Sequence, residues 1–114
     1  MSKPRKPHEC INSRGGLRAR AWWVLRLDGI ATIAAILSAV RRREETGAVT
    51  NLHTYFRALV KSGHLSVSKR AKGVNQYTLT NNTGPCAPIW RRSREQVYDQ
   101  NSGAAIDISG GGDA

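Results

Sequence analysis

Acid is scarce in this chain. Eight Asp and Glu stand against eighteen Lys and Arg, giving a formal charge of +10 and a pI near 10.6. From Thr46 through Arg94 there is no Asp or Glu at all. A merely soluble surface mixes the two signs, so this distribution points to a polyanionic partner such as DNA, RNA or an acidic membrane surface. Long apolar runs are missing too. The most apolar segment, Ile30 to Val40, falls well short of the roughly 20 residues a membrane-spanning helix needs, and no apolar stretch follows the basic start. No membrane partner and a cytoplasmic location are therefore expected.

Cysteine is almost absent. Cys10 and Cys86 lie far apart, without a CxxC or a second ligand pair, so neither a metal nor another cofactor is expected and both read as free thiols in a reducing cytosol. Catalytic motifs are also lacking. His8, His53 and His64 have no carboxylate or nucleophile at a motif spacing, and His8-Glu9-Cys10 falls in a proline-bearing tail. The chain therefore does not read as an enzyme, and no small-molecule substrate is expected.

With 114 residues the chain has room for one domain. Residues 1–16 are polar and basic with two prolines, and residues 100–114 are rich in Gly, Ser and Asp. Both ends read as disordered tails around a domain spanning 17–99. Within it, Leu17, Ala21, Val24 and Leu25 share one face of a first helix, Leu17 to Leu27. Trp22 and Trp23 point about 100° apart on that helix, so at least one belongs in the core while the other is available to a second copy. Asp28-Gly29 breaks the pattern and caps a second helix from Ile30, where Ile30, Ile33, Ala34 and Leu37 repeat the helical signature. The good helix formers and the Arg41/Glu45 spacing carry this helix to about Thr46, with Gly47 as its left-handed terminator.

A third helix starts at an N-cap, Thr50 or Asn51, and ends at Gly63, with Lys61 complementing the dipole of its last turn. Leu52, Phe56, Leu59 and Val60 form its apolar stripe. Opposite lie Thr54, Arg57, Ala58 and Lys61, flanked by Asn51 and His53, a small and cationic surface without an acid. Leu65-Ser66-Val67-Ser68 and Tyr77-Thr78-Leu79-Thr80 then alternate as strands, joined by Lys69-Arg70-Ala71-Lys72-Gly73-Val74-Asn75-Gln76, whose glycine permits the turn. Three cations at a hairpin tip add little to a sheet and much to a contact with phosphates. The order helix, glycine, strand, basic loop, strand gives the fold class: α+β, a winged helix-turn-helix of three helices plus a two-stranded hairpin wing. Pro85 and Pro88 force the following segment into extended geometry, returning across the domain on Ile89 and Trp90. Arg91, Arg92 and Arg94 either continue the basic surface or form a solvated turn.

Asn51-Leu52-His53-Thr54-Tyr55-Phe56-Arg57-Ala58-Leu59-Val60-Lys61-Ser62-Gly63-His64-Leu65, then Tyr77-Thr78-Leu79, Thr83-Gly84-Pro85-Cys86-Ala87-Pro88 and Val97-Tyr98-Asp99-Gln100-Asn101 resemble the small winged-helix proteins of bacteriophages and prophages. Those share a recognition helix N-x-x-x-Y-x-R-A-L-x-x-x-G-x-L, a Y-x-L wing strand, a T-G-P-x-A-P segment and a closing V-Y-D-P-N. Two departures stand out: Arg41 to Val49 is longer than a tight turn, and Gln100 replaces the usual proline. The resemblance implies a DNA-binding protein of a mobile element, in the cytoplasm of a bacterial host, probing double-stranded DNA as a transcriptional regulator.

The residues then divide by role. Asn51, His53, Thr54 and Arg57 are expected at base edges in the major groove, and Thr50, Lys61, Lys69, Arg70 and Lys72 at phosphates. A homodimer reading two half-sites fits this mode. Single-stranded RNA is less well served, because Phe56 belongs to the core stripe and Tyr55 is flanked by it, leaving no exposed aromatic platform. The alternative is a winged-helix interaction module that binds and inhibits a host factor.

Overall fold

The computed structural model describes Cys10 and residues 16–43 and 45–109. The elements run α1 (Leu17–Asp28), β1 (Ile30–Ala31), α2 (Ile33–Val40), α3 (Ala48–Ser62), β2 (Leu65–Lys69), β3 (Asn75–Leu79), β4 (Ile89–Arg91), β5 (Gln96–Asp99) and β6 (Ala104–Asp107). They form an α+β fold of three helices and two three-stranded antiparallel sheets, ordered β1-β3-β2 and β4-β5-β6. The second sheet exceeds the single two-stranded hairpin read from the sequence.

Helix α1 ends where Gly29 turns left-handed (φ 79°) and its N–H closes on the Leu25 carbonyl. Ile30 and Ala31 then pair with Thr78 and Tyr77 of β3 rather than opening a helix, which corrects the expected start of the second helix. Thr32 is the better cap, its hydroxyl accepting from the Ala35 N–H at 3.1 Å. The apolar face therefore shifts to Ile36 and Leu37, with Ile33 and Val40 packed against the core and Ala34 exposed.

Helix α2 stops at Val40, not Thr46, for a tertiary reason. The Arg20 guanidinium of α1 donates to the Val40 carbonyl, 3.0 Å away, and pairs with the Glu45 carboxylate. That carboxylate also accepts from the Arg42 N–H. The charge run is thus a pinned connection, and Arg41 donates to the Glu45 carbonyl instead of forming a helical pair. Gly47, left-handed at φ 69°, precedes α3 instead of ending α2, so the helix begins at Ala48 and Thr50 and Asn51 lie inside it.

The core gathers Trp22 and Leu25 of α1, Ile36 and Leu37 of α2, Leu52, Tyr55, Phe56 and Leu59 of α3, then Leu65, Tyr77 and Val97. Tyr55 and Ala58 are buried as well. Their cover is the second sheet, which puts a wall beside α3 where open surface was expected at Ala58.

The chain from Thr83 to Pro88 ties the two sheets together. The Trp22 indole donates to the Gly84 carbonyl at 2.9 Å, and the Tyr55 hydroxyl donates to the Pro88 carbonyl. Gly84 is held at φ 144°, where a Cβ would lie 2.7 Å from the Asn101 side chain. Asn101 in turn accepts from the Cys86 N–H and donates to the Cys86 carbonyl, at 3.0 and 2.7 Å. Gln100 donates to the Ala87 carbonyl at 2.7 Å, so an amide does here what a proline could not. These contacts, β6 and the buried Ile108 correct the tail expected from residue 100. Residues 110–114, and all but Cys10 and Gly16 of the expected N-terminal tail, lie outside the described residues. Cys10 is disulfide-bonded to Cys86 across 76 residues, which corrects the reading of two free thiols; such bonds are unusual in a reducing cytosol. Among the described residues no helix is long and apolar enough to cross a membrane.

At the junction of the sheets, His64 is buried. Its Nδ1 meets the Ser62 hydroxyl at 2.7 Å, while its Nε2 lies 3.9 Å from the Asp99 carboxylate, too far for a hydrogen bond. Burial pushes the imidazole below its ordinary pKa, against the opposing pull of Asp99. Burial would by itself raise Asp99, but donors from Ser102, Thr83 and the Asn101 backbone hold it below the usual carboxylate range. Below about pH 6.5 an unfolded chain takes up a proton that native His64 resists, so stability falls as pH falls through that range. Chemical denaturation from pH 7 to 5 should show that slope, and His64→Gln should flatten it.

Candidate nucleic-acid interface

The side of α3 that escapes burial is set by helical periodicity. Tyr55, Ala58, Leu52, Phe56 and Leu59 face the core and the second sheet, which leaves Thr50, His53, Thr54, Arg57 and Lys61 along the outer side, His53 and Thr54 partly covered. Thr54 donates its hydroxyl back to the Thr50 and Asn51 carbonyls, leaving its lone pairs outward. Asn51 is exposed but engaged. Its Oδ1 accepts from Arg18 Nε at 2.7 Å, so only its amide donors remain for an incoming group.

The β2–β3 hairpin rises on the same side. Val67, Asn75 and Tyr77 line a shallow cleft together with His53, Arg57 and Val60 of α3. Leu65↔Leu79 to Lys69↔Asn75 fixes the register, which carries Arg70 and Lys72 to the tip. Lys69 donates to Asn75 Oδ1 at 3.2 Å, whereas the side chains of Arg57, Lys61, Arg70 and Lys72 have no hydrogen-bond or ion-pair partner among the described residues. The structure thus brings His53 and Arg57 beside the β2–β3 hairpin, joins Lys69 to that cleft only through Asn75, and sets Thr54 and Lys61, with Arg57, beside Trp90 and Arg92 instead.

Acid is kept away from this surface. Among the described residues Asp28 closes α1, Glu45 is paired with Arg20, Asp99 is buried, Glu95 closes the β4–β5 turn and Asp107 belongs to β6. Lys72 adds a second signal, because it adopts a left-handed backbone (φ 68°) that glycine tolerates better. Lys72→Gly should leave stability unchanged or raise it by up to about 1 kcal/mol. The same change should weaken duplex affinity, which thermal unfolding and a binding titration would read separately.

Arg18 is the participant that sequence reasoning missed. Its half-buried guanidinium stacks over the Tyr55 ring (4.8 Å to the centroid) and the Trp90 ring (5.6 Å) while holding Asn51. Burial lowers its pKa, partly offset by Tyr55, and burial raises that of Tyr55. Nothing local to α1 marks this residue, since its partners come from α3 and β4. Among the described residues there is no cluster of His, Cys, Asp or Glu that could hold a metal ion. Searches against protein-family models, curated proteins and solved structures found no match for this chain.

Proposed function

We propose that this protein binds double-stranded DNA as a winged helix-turn-helix regulator of a phage or prophage. In this reading α3 enters the major groove and the β2–β3 hairpin lies on the backbone. The observation that carries it is the cleft in which His53 and Arg57 of the helix adjoin Val67, Asn75 and Tyr77 of the hairpin, with no Asp or Glu among its lining residues, and the exposed cations Lys69, Arg70 and Lys72 at the end of that hairpin. Arg57 is the natural reader of guanine O6 and N7, His53 and Thr54 supply single polar contacts, and Asn51 offers its amide donors. Thr50, Lys61, Lys69, Arg70 and Lys72 hold phosphates.

A homodimer belongs to the same proposal. Trp22 is fully buried, but Trp23 is 58% exposed and Leu27 63% exposed, and the two share the outer side of α1 at i and i+4. The proposal assigns the protein to the bacterial cytoplasm, a compartment in which the Cys10–Cys86 bond is unusual. Titration against bare duplex tests the reading and separates it from a module that docks on a host protein. Log affinity should fall linearly with log salt; no binding to any duplex at low salt would refute it.

A further inference from the structure

The second sheet has no role in the reading above, yet it stands directly against the helix that the reading depends on. Thr54, Arg57, Ala58 and Lys61 of α3 form one wall of a cleft whose other wall is Trp90 and Arg92, closed at the end by Ile108. Arg57 lines this cleft as well as the one beside the β2–β3 hairpin. The outer side of α3 is therefore flanked by two hairpins rather than one.

The two hairpin tips are built alike. The β2–β3 tip is a short 3-10 turn, Ala71–Gly73, with Lys72 left-handed. The β4–β5 tip is a short 3-10 turn, Arg92–Arg94, closed by left-handed Glu95. Register Ile89↔Tyr98, Trp90↔Val97 and Arg91↔Gln96 carries the turn out past the end of the sheet. Arg91 is used internally, stacked over Tyr98 at 4.4 Å and donating to Gln96. Arg92 lies over the Trp90 ring at 5.6 Å, which orients its guanidinium at the cleft. Arg94 is exposed and has no hydrogen-bond or ion-pair partner among the described residues.

We infer that the β4–β5 hairpin is a second backbone clamp, with Arg92 and Arg94 holding phosphates of the duplex on the side of α3 opposite the β2–β3 hairpin. This inference rests on the proposed function. The ligand chemistry follows from what lines the cleft: Arg57, Lys61 and Arg92 face one another across it without a carboxylate among its lining residues, a balance that suits a phosphodiester. Base stacking is disfavoured because Trp90 already carries the guanidinium groups of Arg18 and Arg92 over its ring. Glu95, exposed at the tip beside Arg94, and Asp107 of β6 do not line the cleft; Asp107 accepts from the Ser109 N–H.

The test is a salt titration of duplex binding with the full chain and with Arg92→Gln/Arg94→Gln. Each phosphate contact contributes about 0.9 to the slope of log affinity against log salt. Loss of both should make the slope shallower by about 1.8, and weaken every duplex alike, without altering which sequence is preferred. Arg92→Lys/Arg94→Lys should restore most of the slope, which a merely structural loss would not. A wild-type slope in the Gln variant would overturn the second clamp and leave the helix and first hairpin as the interface. Absence of duplex binding by the wild-type chain would instead remove the proposed function, and the clamp with it.

Discussion

Reversing three charges at once, Lys69→Glu, Arg70→Glu and Lys72→Glu, is expected to cut duplex affinity by on the order of a hundredfold. The three side chains are exposed and contribute nothing to the core, so the variant should unfold at the same denaturant concentration as the parent. At about 1 kcal/mol per cation, the typical net value of a hydrogen bond and below the range for charged partners, three contacts sum to about 3 kcal/mol. The replacement also adds repulsion, so the figure is a lower bound. The salt slope should become shallower by about 2.7, since three fewer counterions are displaced. Fluorescence anisotropy across a salt series reads both quantities. A hundredfold loss with an unchanged slope would mean that the tip acts through shape rather than phosphate contact.

Trp22→Ala should have the largest effect on stability, about 3–5 kcal/mol. The indole is fully buried, meets His64 edge-on at 6.0 Å between centroids, and donates to Gly84. Its removal leaves a cavity between α1 and the returning chain and also orphans the Gly84 carbonyl in a tight segment, which adds about 1 kcal/mol. Against a total stability of about 5–15 kcal/mol this approaches global unfolding. The neighbouring Trp23→Ala should change monomer stability by no more than about 0.5 kcal/mol because its ring is solvated. Urea denaturation of the pair gives an internal control: equal effects would contradict the packing described above.

The contrast between these two tryptophans shows what a linear sequence carries and what it does not. Periodicity located α1 and α3 and their buried stripes, because a helix that packs on one core must repeat its apolar residues near 3.6. Gly63, left-handed at φ 90°, ended α3 where the glycine stood. The hairpin after it was equally readable, since alternation and a basic turn are local signals. The end of α2 was not, because Arg41 to Glu45 has helix-forming residues and only Arg20, on another helix, diverts them. The second sheet was hidden for a related reason. Its strands are three or four residues long, and Ala104-Ala105-Ile106-Asp107 has little strand propensity of its own. What holds β6 is pairing with β5, from Gln96↔Asp107 to Asp99↔Ala104.

That hidden sheet reshapes the candidate interface. The helical wheel puts Ala58 on the outer surface, as though α3 had a single buried face. The wheel was right about the angle, but β4 and β5 supply a second cover. The motifs Thr83-Gly84-Pro85-Cys86-Ala87-Pro88 and Val97-Tyr98-Asp99-Gln100-Asn101 acquire a shared physical meaning as well. Thr83 donates to Asp99, Asn101 donates to Thr83, and Asn101 sits where Gly84 leaves room. They are the joint that sets the second sheet against α3. Cys10 could not be paired with Cys86 from spacing alone, since nothing local brings residues 76 apart together.

The central claim is that the outer side of α3 reads base sequence while the hairpin cations grip the backbone. Selection of bound fragments from random duplex DNA at about 150 mM salt, where unspecific attraction is already weakened, tests it most directly. The account predicts a short recurring motif that the parent chain enriches and Arg57→Ala does not, because a bidentate arginine contact contributes about 1–3 kcal/mol of discrimination. Equal recovery of all sequences by the parent chain, or the same motif from Arg57→Ala, would contradict it.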